Sequence, residues 1–245
     1  MTAGPARMVS MDKAWSAAHA DFLSGLCQAE RDALMGRARR IHLARRQQVF
    51  AAGDLANTVF VVLDGCIKLY QLSAGGKEII LWFSFPGELF GLAETILDMQ
   101  REIFAEASAK TELLVLSQSD FQEFLRRHPQ AAMNAIGVLS ARLRTLGASL
   151  VTLAADDVET RLARLLDRFA SGSLPTPCPA ERRNGEVCIH IDLTNSELAS
   201  LIGATRQTVN ATLSSFRRQG LIRVVEHHIH VLEPGRLGRL LEHMP

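Results

Sequence analysis

Between residues 136 and 153 the large aliphatic side chains step by 3, 4, 3, 4 and 3 positions: Ile136, Leu139, Leu143, Leu146, Leu150 and Leu153. Residues spaced this way fall on one narrow stripe of an α-helix, an a/d seam. The spacing predicts one long helix that follows Pro129 and ends near Ala155. Two apolar positions in seven are fewer than a helix needs to bury a face in its own core. The expected use of the stripe is therefore a dimer interface against a partner helix; packing on the chain's own β-rich part is the alternative. Either way, a rod in the middle of the sequence divides the rest into two parts.

The part before it has the texture of an antiparallel sheet. Short runs rich in Val, Ile and Phe (Gln47–Phe50, Thr58–Leu63, Cys66–Leu72, Glu78–Ser84 and Glu112–Leu116) are separated by Gly53-Asp54, Asp64-Gly65, Gly75-Gly76 and Pro86-Gly87. Regularly punctuated strands of this length point to an antiparallel barrel or sandwich. Helical spacing flanks them, over Asp21–Arg39 with Phe22, Leu23, Leu26 and Leu34, and over Ser119–Leu125. After the rod, Asp156 with Glu159 reads as an N-cap pair opening a helix through Val158, Leu162, Leu165, Leu166 and Phe169. Ser171–Asn184, rich in Ser, Pro and Gly, reads as a loop. The expected division is a flexible segment 1–20, a β domain 21–128, the rod 129–155 and a C-terminal domain 156–245.

A second feature lies between Glu197 and Glu226, where Arg206, Arg217, Arg218 and Arg223 occur without a single carboxylate. Net charge over the 245 residues is only +1, so any affinity for polyanions has to come from local placement. Thr194-Asn195-Ser196-Glu197 is a capping box that opens one short helix, stopped at Gly203. Thr205 caps the next, which ends at Gly220. Two helices joined by a short glycine-containing turn form a helix-turn-helix. On the second helix Val209, Leu213 and Phe216 share the inward face, and Arg206, Asn210 and Ser214 the outer one, with Gln207 alongside. Arg can bond bidentately to guanine, and Gln or Asn to adenine. Thr205 and the free N–H groups of the first turn suit a phosphate, to which Arg217 and Arg218 add charge. The following LIRVVEHHIHVLEP reads as a two-stranded wing, with His228 and His230 on its wet face and no metal expected.

The whole order of parts resembles the Crp/Fnr transcription regulators, from about residue 20 to residue 235. VFAAGDLANTVFVVLDGCIKLY and GGKEIILWFSFPGELFGLAETI resemble the family's β-roll sensor domain, the seam its dimerisation helix, and LTNSELASLIGATRQTVNATLSSFRRQGLI its winged helix-turn-helix. The resemblance implies an α+β fold: an N-terminal antiparallel, jelly-roll-like β-roll, a long dimerisation helix and a C-terminal winged helix-turn-helix. It also implies a cytoplasmic homodimer on double-stranded DNA, at a pseudo-palindromic operator, with RNA polymerase as partner. The effector region falls on Gly91, Leu92, Ala93, Arg101, Arg142 and Leu146.

Three departures speak against cyclic AMP. Gly91-Leu92-Ala93 stands where cyclic-nucleotide binders carry Gly-Glu-Leu, Glu102 follows Arg101 where they carry serine, and Leu146-Gly147 replaces their Thr-Ser pair. The Arg-Gln-Thr start of the recognition helix resembles the carbon-monoxide-sensing haem regulators. GELFGLAETI, however, lacks their histidine, leaving His42 and His19 as the ligands open to haem. Cys27, Cys66, Cys178 and Cys188 are scattered and include no C-x-x-C, so neither an iron–sulfur cluster nor a structural zinc site is expected. Cys66 reads as a buried strand residue, with a redox role as the alternative.

Other classes fare worse. A β-roll subunit that acts through a protein partner leaves the helix-turn-helix without a purpose. A cupin-like metalloenzyme needs histidines on inward strand positions, and none occurs from Arg45 to Leu116. No nucleophile–base constellation points to an enzyme. No secretory signal is visible at the N-terminus, and no uninterrupted apolar run reaches the roughly 18 residues that span a bilayer.

Overall fold

The computed structural model describes residues 21–171, 180–183, 186–189, 193–225, 228–232 and 237. The expected flexible segment 1–20, His19, Cys178 and His227 lie outside these residues.

Helix α1 (Gln28–Met35) precedes eight strands: β1 (Arg39–Leu43), β2 (Gln48–Phe50), β3 (Thr58–Asp64), β4 (Ile67–Leu72), β5 (Glu78–Ser84), β6 (Leu89–Phe90), β7 (Phe104–Ala107) and β8 (Thr111–Ser117). A short α2 (Leu92–Ile96) sits between β6 and β7. The strands form two antiparallel four-stranded sheets, ordered β1-β8-β3-β6 and β2-β7-β4-β5. Period-two alternation gives the first sheet two buried faces. Val59 and Val61 of β3, with Leu114 and Leu116 of β8, pack against Phe22, Phe121, Phe124 and Val138 on the helical side. Their neighbours Phe60, Val62, Leu113 and Val115, with Phe90 of β6, face the second sheet, against Phe50, Ile67 and Leu69. Gly65 turns β3 into β4 at φ +86, where a Cβ would come within 2.4 Å of the Lys110 carbonyl oxygen; only glycine fits.

α3 (Gln118–Arg127) leads into α4 (Pro129–Ala155), the expected rod. One side of α4, Ala131, Ala135 and Val138, belongs to the helical layer of the β-roll core. The leucine stripe does not. Leu143 is 74% exposed and Leu150 68%, and Ile136, Leu139 and Leu153 are also exposed, with Leu146 half-buried. By length and composition α4 could also cross a membrane, although polar residues interrupt its apolar sequence. Its Arg142 makes a buried ion pair with Glu88 at the start of β6, which ties the helix to the folded body.

The C-terminal unit contains α5 (Val158–Ser171), β9 (Ala180–Arg183), β10 (Glu186–Ile189), α6 (Asn195–Leu201), α7 (Arg206–Arg218), β11 (Ile222–Val225) and β12 (His228–Val231). Leu162, Leu166 and Phe169 of α5 meet Leu198 and Ile202, Val209 and Phe216, and Ile229 and Val231 in a single core.

Four details differ from the expectations. The helical stretch from Asp21 shrinks to α1, because Gly25 turns at φ +70 and the Cys27 N–H donates to Glu30 Oε2 at 2.8 Å, which starts the helix late. The N-cap of α5 is Asp157, not Asp156: Thr160 N–H donates to Asp157 Oδ1 at 2.8 Å, while Asp156 accepts from Arg164 Nε at 2.8 Å. Within the expected loop Ser171–Asn184, Ser171 still belongs to α5 and Ala180–Arg183 is a strand, recruited by antiparallel pairing with β10. The two-stranded wing is correspondingly part of a four-stranded sheet ordered β11-β12-β10-β9.

The cap makes a prediction. Thr160 N–H, first among several donors, holds the Asp157 carboxyl below its ordinary pKa. Its stabilising contribution is present above the unfolded carboxyl range near pH 4 and is lost as pH falls through the depressed value. Asp157→Ala should cost about 1 kcal/mol, lowering the melting temperature by roughly 2–4 °C for a chain of this size. Asp156→Ala removes only a partly exposed ion pair and should cost less. Equal losses in thermal melts would refute the assignment of the cap.

Candidate DNA-binding surface and effector region

Reciprocal capping fixes the start of α6: Glu197 N–H donates to Thr194 Oγ1 at 3.2 Å, and Thr194 N–H to Glu197 Oε2 at 2.8 Å. The turn after α6 needs Gly203, at φ +62, where a Cβ would lie 2.7 Å from Leu153 Cδ2. Leu153, at the end of the seam, thus also backs the helix-turn-helix of its own chain. Thr205 Oγ1 accepts from Thr208 N–H at 3.1 Å and starts α7.

Val209, Leu213 and Phe216 are buried, whereas Arg206, Gln207, Asn210, Ser214, Arg217 and Arg218 are all exposed. The first turn of α7 carries no acid and its last turn carries Arg217 and Arg218, so no side chain of its own first turn neutralises the positive end of the helix dipole. Asn210 Oδ1 accepts from Asn195 Nδ2 at 2.6 Å, which ties the outer face of α7 to the start of α6. Beside this pair a groove of about 460 Å³ runs between the helices and the wing, bounded by Asn195, Asn210, Ser214, Arg217 and Val224. Arg223 differs from the other arginines: Glu186, on β10, accepts from its Nη2 at 2.8 Å. The absence of acids along 198–225 concealed this partner, which pairing of the strands brings in.

In the effector region the structure places Arg101 against Gly91. The guanidinium is 2% exposed, donates to the Gly91 carbonyl at 2.7 Å and to the Thr58 carbonyl, and stands 3.5 Å from Glu94 Oε2. It also lies 4.3 Å from the Phe50 ring centroid. Burial lowers its pKa, against the pull of Glu94. Leu92 is buried and Ala93 exposed. Arg142 donates to Glu88 and, at 3.3 Å, to Ser84 Oγ, and stands 5.4 Å from the Trp82 ring. Glu88 and Trp82 were not legible as members of this region; the buried Trp82 Nε1 has no hydrogen-bond partner. His42 sits exposed on β1, 3.9 Å from Glu112. Among the described residues no three of His, Cys, Asp and Glu gather as metal ligands.

A contact between the two parts was also missed. Lys77, beyond β4, donates to the Ala204 carbonyl in the helix-turn-helix turn at 2.5 Å. Lys68 on β4 is 4% exposed and reaches Glu78 at 3.0 Å, Glu106 at 3.3 Å and Glu197 at 3.9 Å. Burial presses its pKa down, but the carboxylates of Glu78 and Glu106 outweigh that and hold it above the ordinary lysine value. Phe83 of β5 packs against the C-terminal core.

A β-roll joined by a long helix to a winged helix-turn-helix defines a DNA-binding transcription regulator. Residues 40–128 match the cyclic nucleotide-binding domain family and residues 160–240 the Crp-like helix-turn-helix domain. The "Cyclic AMP receptor protein" of Thermus thermophilus is 29% identical over 88% of this chain and 94% of its own length. A cAMP-activated global transcriptional regulator of Mycobacterium tuberculosis is 25% identical over 91% and 96%. Among solved structures, the c-di-GMP-responsive regulator CLP of Xanthomonas campestris superposes with a TM-score of 0.74 at 21% identity, covering 84% of this chain and 99% of that one. The chain belongs to the Crp/Fnr family of transcription regulators, which are not enzymes.

Proposed function

We propose that the protein is a cytoplasmic, homodimeric, signal-gated regulator. Its two α7 helices enter successive major grooves of a pseudo-palindromic operator, about 34 Å apart. The observation that carries this is the exposed stripe Ile136, Leu139, Leu143, Leu146, Leu150 and Leu153 on α4. An apolar row of that length needs a cover, and a second copy of the same row supplies one by two-fold symmetry. Arg206, Gln207, Asn210 and Ser214 read bases, while Thr205, Arg217 and Arg218 hold phosphates. RNA polymerase is the partner at the promoter.

The effector region fits a ligand other than cyclic AMP. The Nη1 and Nη2 donors of Arg101 are directed to the Gly91 and Thr58 carbonyls, its buried Nε has no partner, and Arg142 is held by Glu88. A ligand phosphate would have to displace these contacts and leave two largely buried carboxylates, Glu94 and Glu88, competing with it for the same guanidinium groups. Gating acts through the Lys77–Ala204 and Lys68–Glu197 contacts, which connect the sensing sheets to the turn that positions α7. An effector shifts the balance between docked and DNA-competent arrangements only by its difference in affinity for the two.

Sedimentation and fluorescence anisotropy on duplex DNA test the reading. The protein should sediment as a dimer, and its affinity should fall at least ~100-fold between about 50 and 200 mM salt as released counterions re-enter the balance. A monomer whose behaviour toward duplex ignores salt would overturn it.

A further inference from the structure

On the outer face of the C-terminal sheet, three strands align Arg223 of β11, His230 of β12 and Cys188 of β10 in one register row. Val187, Ile229 and Val231, of opposite parity, are buried in the core, so the row points away from it. Cys188 and His230 are only half-buried, within reach of a small reagent.

The side chains form a chain of alternating character. Cys188 Sγ lies 3.5 Å from His230 Nε2. The other ring nitrogen, His230 Nδ1, is 3.7 Å from Glu186 Oε2, and the same oxygen accepts from Arg223 Nη2 at 2.8 Å. An imidazole beside a thiol takes up its proton and stabilises the thiolate, which is the nucleophilic form. Glu186 lies on the far side of the ring, where it can pair with the imidazolium that results, and Arg223 holds the same carboxylate oxygen in place. The other described cysteines are set differently: Cys66 is buried at the β3–β4 turn, and Cys27 is exposed at the N-cap of α1, its backbone N–H donating to Glu30 Oε2.

We propose that Cys188 is a thiol-modification site whose reagent is a small-molecule disulfide. His230 takes the Sγ proton; the thiolate attacks one sulfur of the disulfide, a new S–S bond forms as the reagent's own breaks, and the departing thiolate leaves as a thiol with the proton from His230. One thiol and one disulfide are consumed, and one of each is produced. The adduct sits on the sheet that carries the wing and packs on α7 through Ile229 and Val231.

The experiment uses the full-length protein and oxidised glutathione near pH 7.5, with peptide mapping by mass spectrometry after an acid quench. Cys188 should form its mixed disulfide at least ~10-fold faster than Cys27 in the same molecule, an acceleration of the size that pairing with a base confers. His230→Gln should bring Cys188 down to the rate of Cys27, and Cys188→Ser should remove that adduct alone. Glu186→Gln, which leaves the imidazole in place, should give an intermediate rate and keeps the test sound should the His230 variant melt early. A Cys188 rate no greater than that of Cys27, or one unchanged by both His230→Gln and Glu186→Gln, overturns the proposal.

Discussion

Replacing Leu143 with aspartate should leave a folded monomer that no longer holds its operator. Leu143 is 74% exposed in the single chain, so the substitution removes little from the core of that chain. In the proposed dimer it lies at the centre of the stripe, with Leu139 before it and Leu146 and Leu150 after it. Full burial of a leucine side chain stabilises by about 1.5–3 kcal/mol, and symmetry counts each copy. Two aspartates facing one another add an unpaired buried charge and like-charge repulsion. A loss of at least ~4 kcal/mol raises the dimer dissociation constant by roughly 1,000-fold. Sedimentation at micromolar concentration would then show a monomer, with its thermal melt close to that of the monomeric parent state. Operator affinity would collapse with it, because a single α7 engages one half-site only. A Leu143→Asp protein that still sediments as a dimer would show that the stripe is covered by something else.

The elements that could be read in advance are those whose signal is local. Glu78–Ser84 was legible to the residue and β3 within a residue, because their β-branched and aromatic runs are bounded by turn glycines that the backbone needs; β8 was legible within a residue from its apolar run Leu113–Leu116 alone. The caps of α6 and α7 follow from Thr194, Glu197 and Thr205, whose bonds reach only three residues along the chain. The elements that escaped depend on distant partners. β1, written RRIHL, is a strand because β8 pairs with it, and β9, written AERR, because β10 does. β9 does not alternate, and in β1 the alternation of Ile41 and Leu43 with Arg40 and His42 spans only four residues, too short a run to stand out. Asp156 and Asp157 are chemically identical caps on paper, and only the path of the chain decides which reaches Thr160.

The functional surfaces divide in the same way. The inward face of α7 was legible from Val209, Leu213 and Phe216, which their spacing alone puts together. The Arg223–Glu186 pair, the Arg142–Glu88 pair and the Lys77–Ala204 contact join residues between 37 and 127 positions apart, and no periodicity announces them. Glu88 in particular lies inside a segment whose resemblance to known sensors drew attention to Gly91 instead. Its burial at the side of α4 makes the polar side of the effector region a matter of paired charges rather than of free ones.

Arg206→Ala should have the second large effect, on sequence readout and not on assembly. Arg206 is the first residue of α7, exposed, next to the Thr205 cap at the end where a recognition helix meets base edges. A bidentate arginine–guanine contact is worth about 1–3 kcal/mol of discrimination, and the symmetric operator contains it twice, giving about 2–6 kcal/mol in all. Affinity for the operator should fall by roughly 30-fold to 20,000-fold at fixed salt, and discrimination at one base pair of each half-site should relax. The salt dependence separates base reading from phosphate contact: a lost base contact leaves the slope nearly unchanged, whereas a lost phosphate contact lowers it by about one per half-site. Arg217→Ala supplies the comparison, because it should weaken all duplexes alike and flatten the slope. Both variants should remain dimeric, since neither residue belongs to the α4 stripe. An Arg206→Ala protein that binds every sequence as the parent does would remove Arg206 from the reading face; an equal loss on all duplexes with a reduced slope would move it to the phosphate backbone.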